Sequence, residues 1–472
     1  MGLLFLFFLS ACTPSSIGYT DDLSCRLTFT DDTIAFDTVF TAVGSYTEVF
    51  QVYNRNNAHL SISDIRLAKG WNSPFRINLD GQYGVSFSDV DLRARDSMYV
   101  FLEVTIDPRD EDAPFEVRDS LVFTLASGVQ QHVLFTAWGR DAVVLRGVTL
   151  TEETSFSCSR PYFIYDSLVV SSDVTLTIQP GARLFFHDAA NLIVYGSLKA
   201  MGTVDSLVLF RGDRLDNMFS YLPYDRIHGQ WGGITLRAES HDNVFRACDI
   251  HSGTYGILAE PSDMSSVKLS MEDTQIHNVD GNGLQETLCM GSAINCLFTN
   301  AGDYCVDVLG GKFDFIHCTL ANFWPWSLEH KGALNIRNTD ENSLFPLLGV
   351  NFVNCIITGS GDDEIDGMVA EKSDSTDYSE YAQYSFCRSL INSKDADNIH
   401  FSDITWESPD STIYGKGNFQ MPATPYLYDF HLDSLSRARG IADPTFLSLA
   451  PFDKDGILRE GSIDAGCFQY TK

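Results

Sequence analysis

Two stretches of the chain carry side chains suited to bind a ligand, and the first of them is acidic. GDDEIDG at 361–367 contains Asp362, Asp363, Glu364 and Asp366, whose carboxylate oxygens are ligands that Ca²⁺ prefers. The stretch lacks the D-x-D-x-D-G-x5-E spacing of an EF-hand loop. A chain with 63 Asp and Glu against 32 Lys and Arg is also expected to carry solvated acidic loops. Calcium is therefore a weak candidate, and no other cofactor is expected.

The second stretch is aromatic. NFWPWSLEHKG at 322–332 places two indole rings around a proline, and DYSEYAQY at 377–384 adds tyrosines. Rings with an apolar body and a polar edge are common anchors for ligands, so this stretch predicts contact with a sugar or a protein partner. The alternative is that one indole ring closes the end of an apolar core. The candidate contact residues are Phe323, Trp324, Trp326, His330 and Tyr381.

The sequence pairs no acid with a base, so catalytic residues are left unassigned. Glycosidases need two carboxyl groups about 5 Å apart, or wider in inverting enzymes. Asp249 and Asp273 are near each other in the repeat described next, but they are one position out of step and do not share a strand face. The other ionisable residues expected on loops beside aromatic residues are Arg226, His228, Glu329, His330 and Lys331.

Cysteine recurs in a fixed pattern. ACDI, DTQI, NCLF, HCTL and NCII end at residues 250, 276, 298, 320 and 357, so the steps are 26, 22, 22 and 37 residues. Steps of 22 to 26 residues are typical of one turn of a parallel β-helix, and the step of 37 is one turn with an inserted loop. Since strand side chains alternate, the cysteine and the last apolar residue share a face. Cys248, Thr274, Cys296, Cys318 and Cys355 are therefore predicted to form an inward column of small side chains.

The cysteines have two alternative roles, metal binding and disulfide formation. A zinc site needs Cys or His pairs that converge on one point, whereas a column along an axis does not converge. Disulfides suit an exported protein, but neighbours in a parallel column present their Cβ atoms poorly for the bond. Buried free thiols are the expectation for the column. Cys25 and Cys158 lie outside it and are the best candidates for a disulfide pair.

Residues 20–142 read as an immunoglobulin-like β-sandwich. YVFLEVTI at 99–106 and DSLVFTL at 119–125 alternate apolar and polar residues, as half-buried strands do. About seven such strands in this length are typical of that sandwich. The segment 37–67, with its VG turn and L-x-I strand, resembles the Hydin-type immunoglobulin-like domains of surface proteins. The resemblance implies a spacer or assembly module without catalytic residues.

Residues 143–472 are predicted to form a right-handed parallel β-helix with inserted loops. VTLTIQPGARLFFHDAANLIVYGSLKAMG at 174–202, WGGITL at 231–236 and IDAGCFQY at 463–470 resemble pectate-lyase-like β-helices. That resemblance implies a rigid rod and assigns Trp231 a structural role. Insertions are expected at about 211–230, 321–349, 360–383 and 402–440, projecting as loops. The predicted fold class is thus all-β, a sandwich followed by a β-helix.

The first twelve residues resemble a bacterial lipoprotein signal. GLLFLFF is too short to span a bilayer, and Leu9-Ser10-Ala11-Cys12 follows it. The resemblance implies cleavage before Cys12 and lipidation of its sulfur, although no Lys or Arg precedes the apolar run. The expected location is the outer membrane or surface of a Gram-negative bacterium, with the membrane reached through the lipid only.

The bulk charge narrows the class of partner. With 32 Lys and Arg against 63 Asp and Glu, the formal net charge is −31, which disfavours nucleic acid and anionic lipid as partners. Three functions are compatible with the motifs. The first is a lipid-anchored surface protein whose β-helix binds glycan or a protein partner. The second is a polysaccharide lyase or glycoside hydrolase, and the third is an adhesive stalk without a ligand pocket.

Overall fold

The computed structural model describes residues 18–41, 43–219, 221–327, 330–340, 343–371, 379–394, 399–408 and 411–471. The lipidation candidate Cys12 therefore lies outside the described residues, as do Glu329 and Tyr378. The chain divides into two compact units, Met1–Ala142 and Val143–Lys472. In the described part of the chain, no helix is both long enough and apolar enough to cross a membrane.

The first unit consists of two five-stranded sheets. Their strand orders are β1-β3-β8-β5-β6 and β2-β10-β9-β4-β7, antiparallel except for the β2–β10 pair. Alternating side chains of both sheets, such as Phe50, Phe75, Phe123 and Phe135, form its core. A 3-10 turn spans Gly70–Asn72. The strands are β1 (Thr28–Phe29), β2 (Thr33–Phe40), β3 (Glu48–Tyr53), β4 (Leu60–Leu67), β5 (Phe75–Leu79), β6 (Gln82–Gly84), β7 (Ser86–Leu92), β8 (Ser97–Val104), β9 (Phe115–Leu125) and β10 (Gln130–Arg140).

The second unit is a parallel β-helix with two small antiparallel hairpins, β19–β20 and β34–β35. Its strands are β11 (Val143–Leu150), β12 (Thr154–Phe156), β13 (Tyr162–Val170), β14 (Thr175–Ile178), β15 (Arg183–Phe186), β16 (Asn191–Val194), β17 (Ser197–Met201), β18 (Val208–Gly212), β19 (Asn217–Phe219), β20 (Leu222–Pro223), β21 (Gly233–Leu236), β22 (Asn243–Arg246), β23 (Cys248–His251), β24 (Ile257–Ala259), β25 (Leu269–Glu272), β26 (Gln275–Val279), β27 (Leu284–Thr287), β28 (Met290–Ile294), β29 (Leu297–Ala301), β30 (Val306–Leu309), β31 (Gly311–Ile316), β32 (Thr319–Asn322), β33 (Leu334–Arg337), β34 (Thr339–Asp340), β35 (Ser343–Leu344), β36 (Leu347–Val353), β37 (Ile356–Gly359), β38 (Ile365–Met368), β39 (Ala382–Cys387), β40 (Leu390–Ile391), β41 (Phe401–Ser402) and β42 (Thr405–Trp406). The 3-10 turns are Tyr224–Arg226, Ser379–Tyr381, Gly415–Asn418 and Pro444–Ser448.

Each central coil contributes three strands. The first strand, for example β28, joins a ten-stranded sheet, while the second and third, β29 and β30, join an eighteen-stranded sheet. The register stacks Ile276, Phe298, Leu320 and Ile357 on successive coils, and all four side chains are fully buried. The all-β fold class, a sandwich followed by a parallel β-helix, is confirmed.

The polar residue before each cysteine turns a corner of the coil. Asp273, Asn295, His317 and Asn354 all have φ between 50° and 56°, the left-handed region that Asn, Asp and His tolerate best among residues with a side chain. The next residue is fully buried and leads directly into a strand of the other sheet. The cysteines of the column are buried free thiols, as predicted. Cys25 and Cys158, the candidates for a disulfide pair, are free thiols too.

The C-terminal segment differs from the prediction. The last parallel strand, β42, ends at Trp406, and residues 411–471 pack on the outer face of the coil instead of continuing it. This packing buries outward apolar side chains of β29, β32, β37 and β40 against Phe419, Phe430 and Phe468. The backbone N–H of Cys467 donates to Thr319 Oγ1 at 3.1 Å. An apolar outer face explains the deviation, because it would otherwise remain exposed to water.

Candidate functional site

Five ionisable side chains meet on the outer face of β18, β23 and β26; they are termed the charge cluster and are Arg211, Asp225, Asp249, His251 and His277. Asp249 Oδ1 contacts His251 Nδ1 at 2.9 Å and His277 Nε2 at 3.0 Å. His251 Nε2 contacts Asp225 Oδ1 at 3.1 Å, and Arg211 Nη1 donates to the same oxygen. The two imidazole rings stack with centroids 4.7 Å apart.

The strand register explains why these residues meet. β23 and β26 pair so that His251 lies beside His277, and Asp249 lies two residues from His251 on the same outward face. Arg211 lies on β18, the strand that pairs with β23 from the preceding coil. Asp225 comes from the 3-10 turn Tyr224–Arg226 in the inserted loop 211–230, whose side chains fold over this face. Three successive coils and one insertion thus build the cluster.

Mutual attraction in this cluster outweighs the cost of burial. Burial opposes the charge of both carboxylates, but hydrogen bonds and positive charge from the histidines hold the pKa of Asp225 and of Asp249 well below the usual range. Burial also lowers the pKa of His251, yet Asp249 and Asp225 raise it to about 9. The face therefore favours positive charge between its two carboxylates.

A second group, the aromatic cluster, lies beside the charge cluster and consists of His228, Trp324, Trp326 and Tyr426. The His228 ring lies 4.8 Å from the Trp324 ring and 5.5 Å from the Trp326 ring, between centroids. Trp326 stacks on Tyr426 at 4.8 Å with an angle of 14°. Tyr426 has φ of 59°, which is uncommon for an aromatic residue. The C-terminal segment therefore holds the backbone of Tyr426 in a strained conformation at the position where its ring stacks on Trp326.

A cleft of about 180 Å³ opens between the charge cluster and the C-terminal segment. Its floor presents side-chain amides and a hydroxyl from β26 and β29, and its far wall presents the aromatic residues of 426–430. Arg226 spans the cleft rim, since its Nη1 donates to the Pro425 carbonyl at 3.4 Å. The lining residues are Asp225, Arg226, Gln275, His277, Asn278, Leu297, Thr299, Asn300, Tyr426, Leu427, Tyr428 and Phe430.

Among the cleft lining and the aromatic cluster, two buried polar atoms have neither a hydrogen-bond partner nor an ion-pair partner in the described part of the chain. Asn300 Oδ1 borders the cleft, although its Nδ2 donates to Asn278 Oδ1 at 3.5 Å. Trp326 Nε1 is the other, within the aromatic cluster. Buried polar groups are nearly always satisfied, so an unpaired acceptor and an unpaired donor here are what a ligand with hydroxyl groups would satisfy.

The predicted aromatic contacts divide into those that reach the site and those that do not. Trp326 adjoins the cleft through its stack on Tyr426 but is not itself among the residues that line it. Phe323 is 2% exposed and packs against Phe419 and Phe430, so its predicted role as a ligand contact is wrong. Trp324 is 7% exposed and packs over Gly302, with one edge against His228. The interpretation of one indole ring as packing therefore holds for Trp324.

Three other predicted positions are not part of the cleft lining. His330 Nδ1 lies 2.9 Å from the carbonyl oxygen of its neighbour Lys331. Tyr381 ends a 3-10 turn at the ten-stranded sheet, and Tyr384 stacks on His400 there at 3.8 Å. The insertion that carries these tyrosines joins the ten-stranded sheet, whereas the cleft lies on strands of the eighteen-stranded sheet.

The acidic loop does not form the calcium site that was considered. Glu364 is fully buried, accepts a hydrogen bond from the Gly361 N–H at 2.6 Å, and has its pKa raised to about 8 by burial. Asp363 accepts from Ser393 Oγ, while Asp366 lies on β38 near Tyr304. Because Glu364 turns into the coil and its neighbours point elsewhere, the four oxygens do not converge.

The charge cluster was missed from the sequence, although a signal for half of it was present. When the coils are aligned by their apolar residues, His251 follows Ile250 and His277 follows Ile276, which places the two imidazoles side by side. The same register pairs Asp249 with Gln275 and not with Asp273, so these two carboxylates do not stack, as predicted. Asp225 and Tyr426 come from insertions without periodicity, so no spacing could have placed them.

One group in the described part of the chain could hold a metal ion. Asp249, His251 and His277 each offer one donor atom, and these atoms lie within 4.8 Å of one another. Two imidazoles and one carboxylate are a donor set that suits first-row transition metals.

Comparison with protein families identifies the fold of the site region. The model of the right handed beta helix region matches residues 224–324. This span contains Asp225, both histidines of the charge cluster, and Asn300. No curated protein matches the chain significantly.

Solved structures resemble only parts of the chain. PapD-like domain 7 of human CEP192 is 12% identical, with 30% of this chain and 96% of that chain covered and a TM-score of 0.17. WR4, a C. elegans MSP family member, is 13% identical, with 24% and 98% covered and a TM-score of 0.17. A protein of unknown function from Porphyromonas gingivalis W83 is 12% identical, with 26% and 59% covered and a TM-score of 0.19. Such TM-scores establish no common fold, and the right-handed β-helix of residues 224–324 is what the comparisons identify.

Proposed function

We propose that this protein binds an oligosaccharide in the cleft between the charge cluster and the C-terminal segment. The observation that carries the proposal is the Trp326–Tyr426 stack beside a floor of amide side chains, with Asn300 Oδ1 and Trp326 Nε1 left without partners. A sugar ring has an apolar face for the aromatic rings and hydroxyls for the polar atoms. The net charge of −31 favours a neutral glycan over a polyanion.

The test is a glycan-array screen of the purified chain, followed by titration calorimetry on each hit. Trp326→Ala and Tyr426→Ala are each expected to weaken binding at least about tenfold, because truncated aromatic anchors commonly cost more than about 1.4 kcal/mol. The matched control is Trp71→Ala, which removes an indole that is 76% exposed on the other unit. Unchanged affinity in both site variants would refute the proposal.

Trp324→Ala separates packing from recognition in the same experiment. Because Trp324 is buried, its truncation is expected to lower the free energy of unfolding by about 3 kcal/mol. Trp326 is half-buried, so Trp326→Ala is expected to change it less. Reducing-end and 235 nm absorbance assays on every hit then distinguish binding alone from cleavage of the glycan. Product would make the cleft the active site of a lyase or hydrolase, and a chain that retains no glycan would leave a protein partner or a stalk.

We also propose that Cys12 carries a lipid that holds the protein on the outer membrane of a Gram-negative bacterium. The LSAC motif at 9–12 after an apolar run supports this proposal. Cys12→Ser is expected to abolish incorporation of an alkyne-labelled fatty acid in expressing cells and to move the protein from the membrane fraction to the soluble one. Cys25→Ser is the matched control. Labelling that survives in Cys12→Ser would exclude this anchor.

A further inference from the structure

The geometry points to a metal site: we propose that Asp249, His251 and His277 bind one first-row divalent transition-metal ion. The inference goes beyond glycan binding and stands independently of it. The three donor atoms lie within 4.8 Å of one another on two adjacent coils. They project from paired strands of a stacked sheet, so their spacing is set by the coil and not by a loop.

The donor set selects the class of ion. Two of the three ligands are imidazole nitrogens, which suit Zn²⁺ and its first-row neighbours, whereas Ca²⁺ takes six to eight oxygens. Three protein ligands are also the number found in catalytic zinc sites, where the remaining position is open. His277 lines the cleft, so the open position would face the cleft. An ion there would take the place of the hydrogen bonds that now join the two imidazoles to Asp249.

The residues behind the donors support the same assignment. His251 is 3% exposed, and its Nε2 contacts Asp225 Oδ1 at 3.1 Å while its Nδ1 faces Asp249. A carboxylate on the far nitrogen of a ligating histidine fixes the ring orientation and the tautomer. Arg211 holds Asp225 in turn. Arg211 and Asp225 therefore form an outer shell that is already assembled behind the ligand His251.

The test uses the full chain after removal of adventitious metal with a chelator. The background is Cys25→Ser, Cys158→Ser, Cys387→Ser, so that the three cysteines of the described residues that are not buried cannot bind metal. Titration with CoCl₂ is expected to develop a visible d–d absorption band that saturates at one equivalent, and ZnCl₂ is expected to abolish it by competition. CaCl₂ in excess is expected to leave the band unchanged.

His277→Gln and Asp249→Asn are expected to abolish the cobalt band, and Asp225→Asn to weaken Zn²⁺ binding about 10- to 100-fold as an outer-shell loss. The matched control is His431→Gln. His431 also lies between two carboxylates, at 2.5 Å from Asp429 and 2.7 Å from Asp455, but has no second imidazole among its contacts. His431→Gln should leave the stoichiometry of cobalt binding at one ion per chain.

Several results would overturn the inference. They are absence of the band at millimolar Co²⁺, a band that persists in His277→Gln, or displacement by Ca²⁺ as readily as by Zn²⁺; each would identify the cluster as a network of ion pairs. If Asp249→Asn fails to fold, His277→Gln gives the same readout, because His277 is partly exposed. Glycan binding measured on the same preparations separates this result from the proposed function.

Discussion

Replacement of Glu286 by glutamine is expected to stabilise the β-helix above neutral pH and to remove part of its pH dependence. Glu286 points into the coil from β27, where the register places it between Ala259 and Val308, and it is fully buried. Its Oε2 accepts from Cys289 Sγ at 3.3 Å, and its Oε1 has no partner in the described part of the chain. Burial raises its pKa to about 8.

The sign of the effect follows from the direction of that change. The folded pKa, about 8, lies above the ordinary value of 4.5, so the folded state binds the proton more tightly than the unfolded state does. The contribution of Glu286 to stability is therefore fully present below pH 4.5 and is lost as the pH rises to about 8. The stability lost over this pH range is on the order of 5 kcal/mol. Glutamine keeps the shape and cannot ionise.

Urea denaturation at pH 5, 7 and 9 measures this effect as the difference between variant and wild type. The difference is expected to grow in favour of Glu286→Gln with rising pH. Exposed Glu152→Gln, whose side chain lies in water, should show no such trend. A difference that stays constant from pH 5 to pH 9 would mean that Glu286 does not titrate in this range.

The repeat was predictable because each coil repeats the same physical demands. A corner needs a residue that tolerates positive φ, so Asn295, His317 and Asn354 stand there. The inward position that follows accepts only a small side chain, so cysteine or Thr274 stands next. Because these requirements recur in every coil, the same residue types recur along the sequence at the spacing of one coil.

The site was not predictable, because most of it comes from segments with no period. Asp225 and Tyr426 are about 200 residues apart, and only the packing of an inserted loop and of the C-terminal segment on the coil brings both to the cleft. The same packing reassigns Phe323 from ligand contact to core. Outward apolar residues such as Ile356 could have indicated that something covers this face, but not which segment does so.

Trp231 links the core to the charge cluster, and its replacement is expected to damage both. The side chain is 1% exposed and stacks on Phe186 at 4.3 Å. Its Nε1 donates to the backbone carbonyl of His251 at 2.8 Å. Trp231→Ala is expected to lower the free energy of unfolding by about 3–5 kcal/mol, as large-to-small changes in a core do. Tyr221→Ala, at a 56% exposed ring, is the control for melting temperature.

Trp231→Phe divides the two roles of this residue. Phenylalanine keeps an aromatic ring against Phe186 but leaves the His251 carbonyl without its donor, at a cost of about 1–3 kcal/mol. Because that carbonyl belongs to the residue that holds Asp225 and Asp249 together, Trp231→Phe is expected to weaken cobalt binding more than its modest loss of stability would suggest. A cobalt affinity of Trp231→Phe equal to that of the wild type would show that β23 alone positions His251. A melting temperature of Trp231→Phe as low as that of Trp231→Ala would show that the hydrogen bond, and not the ring packing, provides the stability.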